Sequence, residues 1–259
     1  MEKNIKDEEK YSFNLLKQFE SSLFEKIKKY CIYNGGSISS YLIEEFYLTL
    51  FRNFPTLIGH ALRSFFLKKI SSCCDHVYVE KNVELRGIKF INFGKNIYLD
   101  RNSYLHAFSD APITLENNVV IGESVRLHCW NFRQIKDSQI SIGANTNVGH
   151  FSFIHGHGGV NIGQNCLMGP HCIIDCSHHI LESTEIPMLD QPMTYKKTVI
   201  EDDVFIGSST QLIAPVRIGE GAFTGAGSSI TDDVPAEALG LSRAKQVNKK
   251  GWAKRNKRS

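Results

Sequence analysis

Between Ile200 and Val234 the chain repeats one six-residue unit: Ile200-Glu201…Val204, Ile206-Gly207…Thr210, Leu212…Val216, Ile218-Gly219…Ala222, Thr224-Gly225…Ser228 and Ile230…Val234. An aliphatic residue opens nearly every unit, Gly or an acid commonly follows it, and a small residue stands four places on. A short fixed period predicts stacked coils, not a globular alternation of helices and strands. The same phase runs upstream through Phe93-Gly94 with Leu99, Leu115 with Ile121-Gly122, Ile142-Gly143 with Val148-Gly149, and Ile162-Gly163 with Met168-Gly169. With three units to a coil, Ile200 lies over Ile218, Ile206 over Thr224 and Leu212 over Ile230. Val204, Thr210 and Val216 then lie over Ala222, Ser228 and Val234, giving an apolar core one side chain wide. Coils about 4.8 Å apart bond to one another as parallel strands. Gly is expected at the corners for the backbone freedom of a tight turn.

The unit, an aliphatic residue, Gly, two variable residues, a small residue and one more, resembles the hexapeptide repeat of the left-handed parallel β-helix acyltransferases. The left hand is implied by that resemblance alone, since parallel crossovers in general favour the right hand. The expected fold is therefore mainly β, a left-handed parallel β-helix over residues 73–236. An N-terminal helical region, 1–72, precedes it, an extruded loop spans 176–198, and a basic tail, 237–259, follows.

Composition narrows the function classes. A net charge of +3 over 259 residues is near neutral. The seven Cys are odd in number and unpatterned, which argues for a reducing, cytoplasmic setting over a disulfide framework. Cys166 and Cys172 fall on the small-residue position, where a thiol acts as a compact apolar filler. Met1 to Lys10 mixes charges unlike a signal peptide, and no window of about 20 apolar residues exists. The tail carries Arg243, Lys245, Lys249, Lys250, Lys254, Arg255, Lys257 and Arg258 with no aromatic platform or reading motif, so nucleic acid is not an expected partner.

Before the repeat, Phe13, Leu15, Leu16, Phe19, Leu23, Phe24 and Ile27 recur at helical spacing until Asn34-Gly35-Gly36. A second helix is expected from about Ser39, and Pro55 opens a third through Ile70. The third resembles a segment common in acyltransferases of surface-polysaccharide pathways. Residues 54–70 either cap the open end of the β-helix or, through Phe65-Phe66-Leu67-Lys68-Lys69, lie on an anionic membrane.

Phase holds through Ile174-Asp175 and returns at Ile200, so Cys176 to about Thr198 leaves the prism as a loop, and such loops commonly carry function. Its residues resemble a segment of the sugar O-acetyltransferases: Gly169-Pro170-His171-Cys172-Ile173-Ile174-Asp175-Cys176-Ser177-His178-His179, then Ile186-Pro187-Met188-Leu189-Asp190-Gln191. In that family a His of this segment is the general base. Ungapped matching from either side brings the register to His179, with His178 the close second choice. Imidazole, titrating near neutrality, can take the proton of a sugar hydroxyl as it attacks a thioester.

The resemblance also implies acetyl-CoA as co-substrate. Phe205-Ile206-Gly207-Ser208 matches the family's Trp-Ile-Gly region and makes Ser208 the oxyanion and thioester candidate. Gly225-Ala226-Gly227-Ser228-Ser229-Ile230-Thr231-Asp232 matches its CoA-side segment at Ala226 and Thr231. Asp232 replaces the usual Lys there, and Lys249 and Lys250 are the expected substitutes for the missing cation. One coil before the base, His155-Gly156-His157-Gly158-Gly159 passes beneath the loop, making His157 and His155 acceptor candidates. The resemblance further implies a homotrimer, with sites between neighbouring prisms, a glycan or small-molecule acceptor, and no metal. Two rival readings use the same prism: a γ-class carbonic anhydrase-like zinc enzyme, suggested by His150 and His155, and a non-enzymatic scaffold.

Overall fold

A computed structural model describes residues 22–71, 76–108, 110–129, 135–185, 187–188 and 191–250. The strands form three parallel sheets wound as one left-handed β-helix. The first sheet stacks β1 (Val77–Val79), β4 (Ile97–Leu99), β7 (Val120–Ile121), β10 (Asn147–Val148), β13 (Leu167–Met168), β18 (Phe205–Ile206), β21 (Phe223–Thr224) and β23 (Leu239–Gly240). The second stacks β2 (Glu84–Arg86), β5 (Tyr104–His106), β8 (Arg126–His128), β11 (Phe153–His155), β14 (Ile173–Asp175), β19 (Gln211–Ile213) and β22 (Ser229–Ile230). The third stacks β3 (Ile91–Phe93), β6 (Ile113–Leu115), β9 (Ile140–Ile142), β12 (Val160–Ile162), β17 (Thr198–Ile200) and β20 (Val216–Ile218).

Strand alternation turns the outer two residues of third-sheet strands inward, as in Ile113 and Leu115, and the middle residue of second-sheet strands, as in Leu127 and Ile154, and these form one continuous buried core along the prism. Ile200 pairs with Ile218, Ile206 with Thr224 and Leu212 with Ile230. Phe93, Leu99, Leu115, Ile121, Ile142, Val148, Ile162 and Met168 all lie in the same core. Each fully buried Ile or Leu contributes about 1.5–3 kcal/mol. Cys166 and Cys172 fill it as expected, their sulfurs directed at backbone carbonyls. One column differs: Val234 bridges Ile218, not Val216, because the last coil is shortened. The prism also runs on past the expected boundary at 236, since β23 pairs with β21 and Ser242 bonds to Ser228 and Ser229.

The corner glycines do a different job from the one expected. Gly149 and Gly169 are absent from the positive-φ residues, but a Cβ on Gly149 would stand 2.5 Å from the Gly169 backbone carbon. Close approach of successive coils, not turn freedom, requires glycine there. The left-handed conformation belongs to residues two places on, often Asn: Asn96, Asn118, Asn145 and Asn165 have φ of 57, 60, 59 and 56°. Asn tolerates that region better than other side chains. These amides also bond to one another up the corner, Asn96 to Asn118, Asn118 to Asn145, Asn145 to Asn165, and Asn165 to Asp203, at 2.8–3.1 Å.

Among the described residues, three helices lie at one end of the prism. The part of the first helical run from Phe13 to Phe19 lies outside the described residues; α1 spans Leu23–Gly35 and ends at Gly36 with φ 73°, as its Gly-Gly predicts. Helix α2 spans Ile38–Phe51 behind a Ser37 cap, and α3 spans Thr56–Ile70 behind Pro55. Tyr47, Leu48 and Leu67 enter the core cluster, so α2 and α3 do cap the prism. Arg63 secures α3, its Nε donating to the Val79 carbonyl at 2.8 Å and Nη1 to that of Phe54 at 2.8 Å. Glu44 secures α2 by accepting from the Gly87 and Ile88 N–H groups. No helix among the described residues is long and apolar enough to cross a membrane.

Candidate active site

The excursion from the prism starts at Asp175, the last residue of β14. Asp175 Oδ1 accepts from the Ser177 N–H at 3.0 Å and the Ser177 hydroxyl at 2.9 Å, with His155 Nδ1 at 3.4 Å. Burial raises this carboxyl, but the bonds from His155 and Ser177 outweigh it and bring the pKa down to about 2. The chain then forms an antiparallel hairpin, β15 (Ser177–His179) against β16 (Met193–Tyr195). Farther out, buried Gln191 holds the excursion to itself, accepting from the Glu182 N–H and donating to the Ser183 carbonyl. Ile186, Leu189 and Asp190 of the segment lie outside the described residues.

Period-two alternation sends adjacent strand side chains to opposite faces, so the two candidate bases part company. His178 is half-buried, with Nε2 2.8 Å from the Ala214 carbonyl oxygen. A carbonyl only accepts, so Nε2 carries the proton and Nδ1 keeps its lone pair. His179 is exposed.

The acceptor candidates do lie beneath this hairpin. The His157 ring is 5.8 Å from that of Tyr195 and 3.8 Å from that of His155. Gly158 passes so near Lys196 that a Cβ would stand 2.2 Å from its carbonyl oxygen. His157 is buried and His155 half-buried. His155 also ends an imidazole column that sequence reading missed: His106 pairs with His128, and His128 with His155, on successive rungs. Their ring centroids are 5.5 and 6.0 Å apart. Each follows an inward residue, Leu105, Leu127 or Ile154, which marks an outward position once the register is known.

Of the acyl-CoA candidates, Ser208 and Ala226 occupy the corner at the other end of β19, whereas Thr231, which follows the Ile230 paired with Leu212, lies towards the Ala214 end. Ser208 sits directly over Gly169, whose added Cβ would meet the Ser208 N at 2.6 Å. Ser208 accepts from the Gly227 N–H through its carbonyl. Ala226 stacks one coil on, over Gly207, and is exposed. Thr231 donates to its neighbour Asp232. Lys249 and Lys250 are exposed beside Val247 and Asn248. The cation that reaches this corner is Arg243, whose Nη1 donates to the Ala226 carbonyl at 3.0 Å. Sequence reading left Arg243 among the tail charges because the prism was expected to end before it. Ala214 and Ser208 flank β19, on the order of 20 Å apart along an extended chain. One chain therefore does not join the His178 corner to the Ser208 corner.

His150 and His155, the pair behind the zinc reading, have separate partners. His150 Nδ1 accepts from the Glu123 N–H at 2.8 Å, whereas His155 faces Asp175. Among the described residues no group of three or more His, Cys, Asp or Glu is placed to hold a metal ion.

Two family models match segments of the chain: the bacterial transferase hexapeptide (six repeats) over residues 197–232, and the hexapeptide repeat of succinyl-transferase over residues 139–174. The bifunctional protein GlmU of Thermodesulfovibrio yellowstonii is 36% identical over 180 residues, 70% of this chain and 34% of that protein. The GlmU of Caldicellulosiruptor saccharolyticus is 39% identical over 145 residues, 55% of this chain and 27% of that protein. The chain thus spans about a third of the length of these curated relatives. Among solved structures, a mutant of AntD, an N-acyltransferase from Bacillus cereus in complex with dTDP and coenzyme A, is 15% identical with a TM-score of 0.47, covering 78% of this chain and 95% of that one. A maltose O-acetyltransferase from Clostridium difficile is 15% identical with a TM-score of 0.42, covering 91% and 88%.

Proposed function

Because its β-helix is built of bacterial transferase hexapeptide repeats, we propose that the chain is an O-acetyltransferase that moves an acetyl group from acetyl-CoA to a hydroxyl of a sugar or surface polysaccharide. The observation that carries the reading is the His178 hydrogen bond to the Ala214 carbonyl at the base of the excursion. It fixes the tautomer in which Nδ1 is a proton acceptor, as a general base requires. This favours His178 over His179 for that role.

In the proposed reaction the sugar hydroxyl gives its proton to His178 Nδ1 as its oxygen attacks the thioester carbonyl. The tetrahedral oxyanion is met by the N–H of Ser208 on a rigid corner, which needs no reorganisation. The C–S bond then breaks, the imidazolium returns the proton to the sulfur, and the products are the acetyl ester and free CoA. No covalent intermediate on the chain is involved. Ala226, Thr231 and Arg243 line the CoA side, with Arg243 doing what was expected of Lys249 and Lys250. His155 and His157 contact the acceptor.

The separation of the two corners within one chain supports a homotrimer in which the His178 corner of one protomer faces the Ser208 corner of its neighbour. Among the described residues, Cys129, Cys166, Cys172 and Cys176 are free thiols buried against backbone carbonyls, which suits the reducing conditions of the cytoplasm. The test is thiol release from acetyl-CoA against a panel of free, nucleotide-linked and polymeric glycans. The proposal requires acceptor-dependent release above hydrolysis; no binding of acetyl-CoA by calorimetry refutes it and favours the scaffold reading.

A further inference from the structure

Capping uses one face of the helical layer, and the opposite face carries a surface that no contact in the prism explains. On α2, Leu42, Ile43, Phe46 and Leu50 are exposed; on α3, Leu57, Ile58 and Phe65 are. Both stripes recur at helical spacing, so each is one side of its helix. A run of rings connects Phe46 to Phe65 through Phe51 and Phe66, which pack against the core. Phe46 lies 6.3 Å from Phe51, Phe51 stacks on Phe66 at 4.1 Å, and Phe66 meets Phe65 edge-on at 5.5 Å. Phe46 and Phe65 remain 57% and 56% exposed at the two ends of this run.

The border of the patch is cationic. Lys69 Nζ stands 5.7 Å over the Phe65 ring, and Lys89, from the first coil of the prism, joins Lys69 in lining a cleft with Ile43, Ile70 and Ile88. Lys68 is exposed beside them. Of the nearby acids, Glu44 lines the same cleft but is buried and accepts from Gly87 and Ile88, and Glu45 is paired with Arg86. Contiguous exposed aromatic and aliphatic groups bordered by lysines match the boundary between acyl chains and anionic headgroups, where an apolar helix face sinks about 5–10 Å. No helix among the described residues is long and apolar enough to cross, and such a surface fits one that lies on a bilayer.

We infer that the α2–α3 face, centred on Phe46 and Phe65 with Lys69 and Lys89 at its edge, seats this protein on a membrane rich in anionic lipid. The whole helical pair and a lysine of the prism form the contact, which extends it well beyond residues 54–70. The inference does not depend on the acetyl-transfer reading.

The experiment is vesicle flotation of the full chain with phosphatidylcholine alone and with phosphatidylcholine containing phosphatidylglycerol, alongside size-exclusion chromatography of each variant. The full chain floats with the anionic vesicles and far less with the neutral ones. F46S/F65S lowers the partition constant about tenfold or more per ring, without altering elution volume or thermal midpoint, because neither ring is part of the core. K69E/K89E lowers it about fivefold or more per lysine and flattens its salt dependence. No flotation of the unaltered chain overturns the inference. So does an F46S/F65S protein that changes oligomeric state while floating normally, which would give the face to a second copy of the chain.

Discussion

Replacing His128 by Gln changes how stability responds to acid, and the sign follows from two buried groups. His128 is half-buried between His106 and His155 in the imidazole column. Burial first, then the neighbouring His106, His155 and Arg126, bring its pKa from 6.5 to about 3. Between those values the unfolded chain takes up a proton that the folded chain does not. Stability is therefore lost as pH falls through this window, by at most about 1.4 kcal/mol per pH unit and, after solvent screening, by about 2–3 kcal/mol in all. Glu44 works the other way. Burial raises its pKa from 4.5 to about 7 against the pull of the Ile88 and Gly87 N–H groups, so its contribution is complete below pH 4.5 and lost as pH rises through 7. From pH 6.5 to 4.5 the two oppose each other. H128Q removes the loss and leaves the gain, so relative to wild type its stability rises on acidification by up to about 1.4 kcal/mol per pH unit. Urea midpoints at pH 4.5, 5.5 and 6.5, at one ionic strength and one protein concentration, read the difference. Parallel pH profiles for the two proteins, or a His128 imidazole resonance titrating near 6.5, refute the reasoning.

Gly149→Ala puts a Cβ 2.5 Å from the Gly169 backbone and costs about 1–3 kcal/mol by urea unfolding, whereas Gly227→Asn, at φ 72° with open space around it, is tolerated. Asn145→Ala loses both the left-handed preference and the two corner amide bonds and is destabilised by about 1–3 kcal/mol. Asn145→Gly is destabilised less, and equal melting of the two variants contradicts the strain argument. Arg243→Ala raises KM for acetyl-CoA several-fold with kcat little changed in a thiol-release assay; an unchanged KM removes Arg243 from the CoA corner.

The repeat made the prism legible because a core one side chain wide forces the same residue type at every sixth position. Ile200 over Ile218 and Leu212 over Ile230 follow from that spacing alone. The excursion at Asp175 was legible for the same reason, as the place where the phase breaks. The corner chemistry was not. Gly149 and Asn145 both signal a turn, but which of them bends the chain and which lets coils approach depends on contacts with the next coil. The imidazole column was hidden because coil lengths differ: Ile113 pairs with Ile140 while Val160 pairs with Ile140 from the other side, so equal spacing cannot be used to align His106, His128 and His155. The choice between His178 and His179 rests on strand alternation in a hairpin that follows no hexapeptide phase. Arg243 was missed because the final coil is shortened and the chain returns to the prism after the hexapeptide phase has ended.

The measurement closest to the centre of the account is acetyl transfer by H178A and H179A at saturating acetyl-CoA and acceptor. With His178 as the base, H178A loses about 10²–10⁴ in kcat while H179A stays within a few-fold of wild type. Wild-type turnover by H178A, or the larger loss in H179A, contradicts the role given to the carbonyl-bound imidazole.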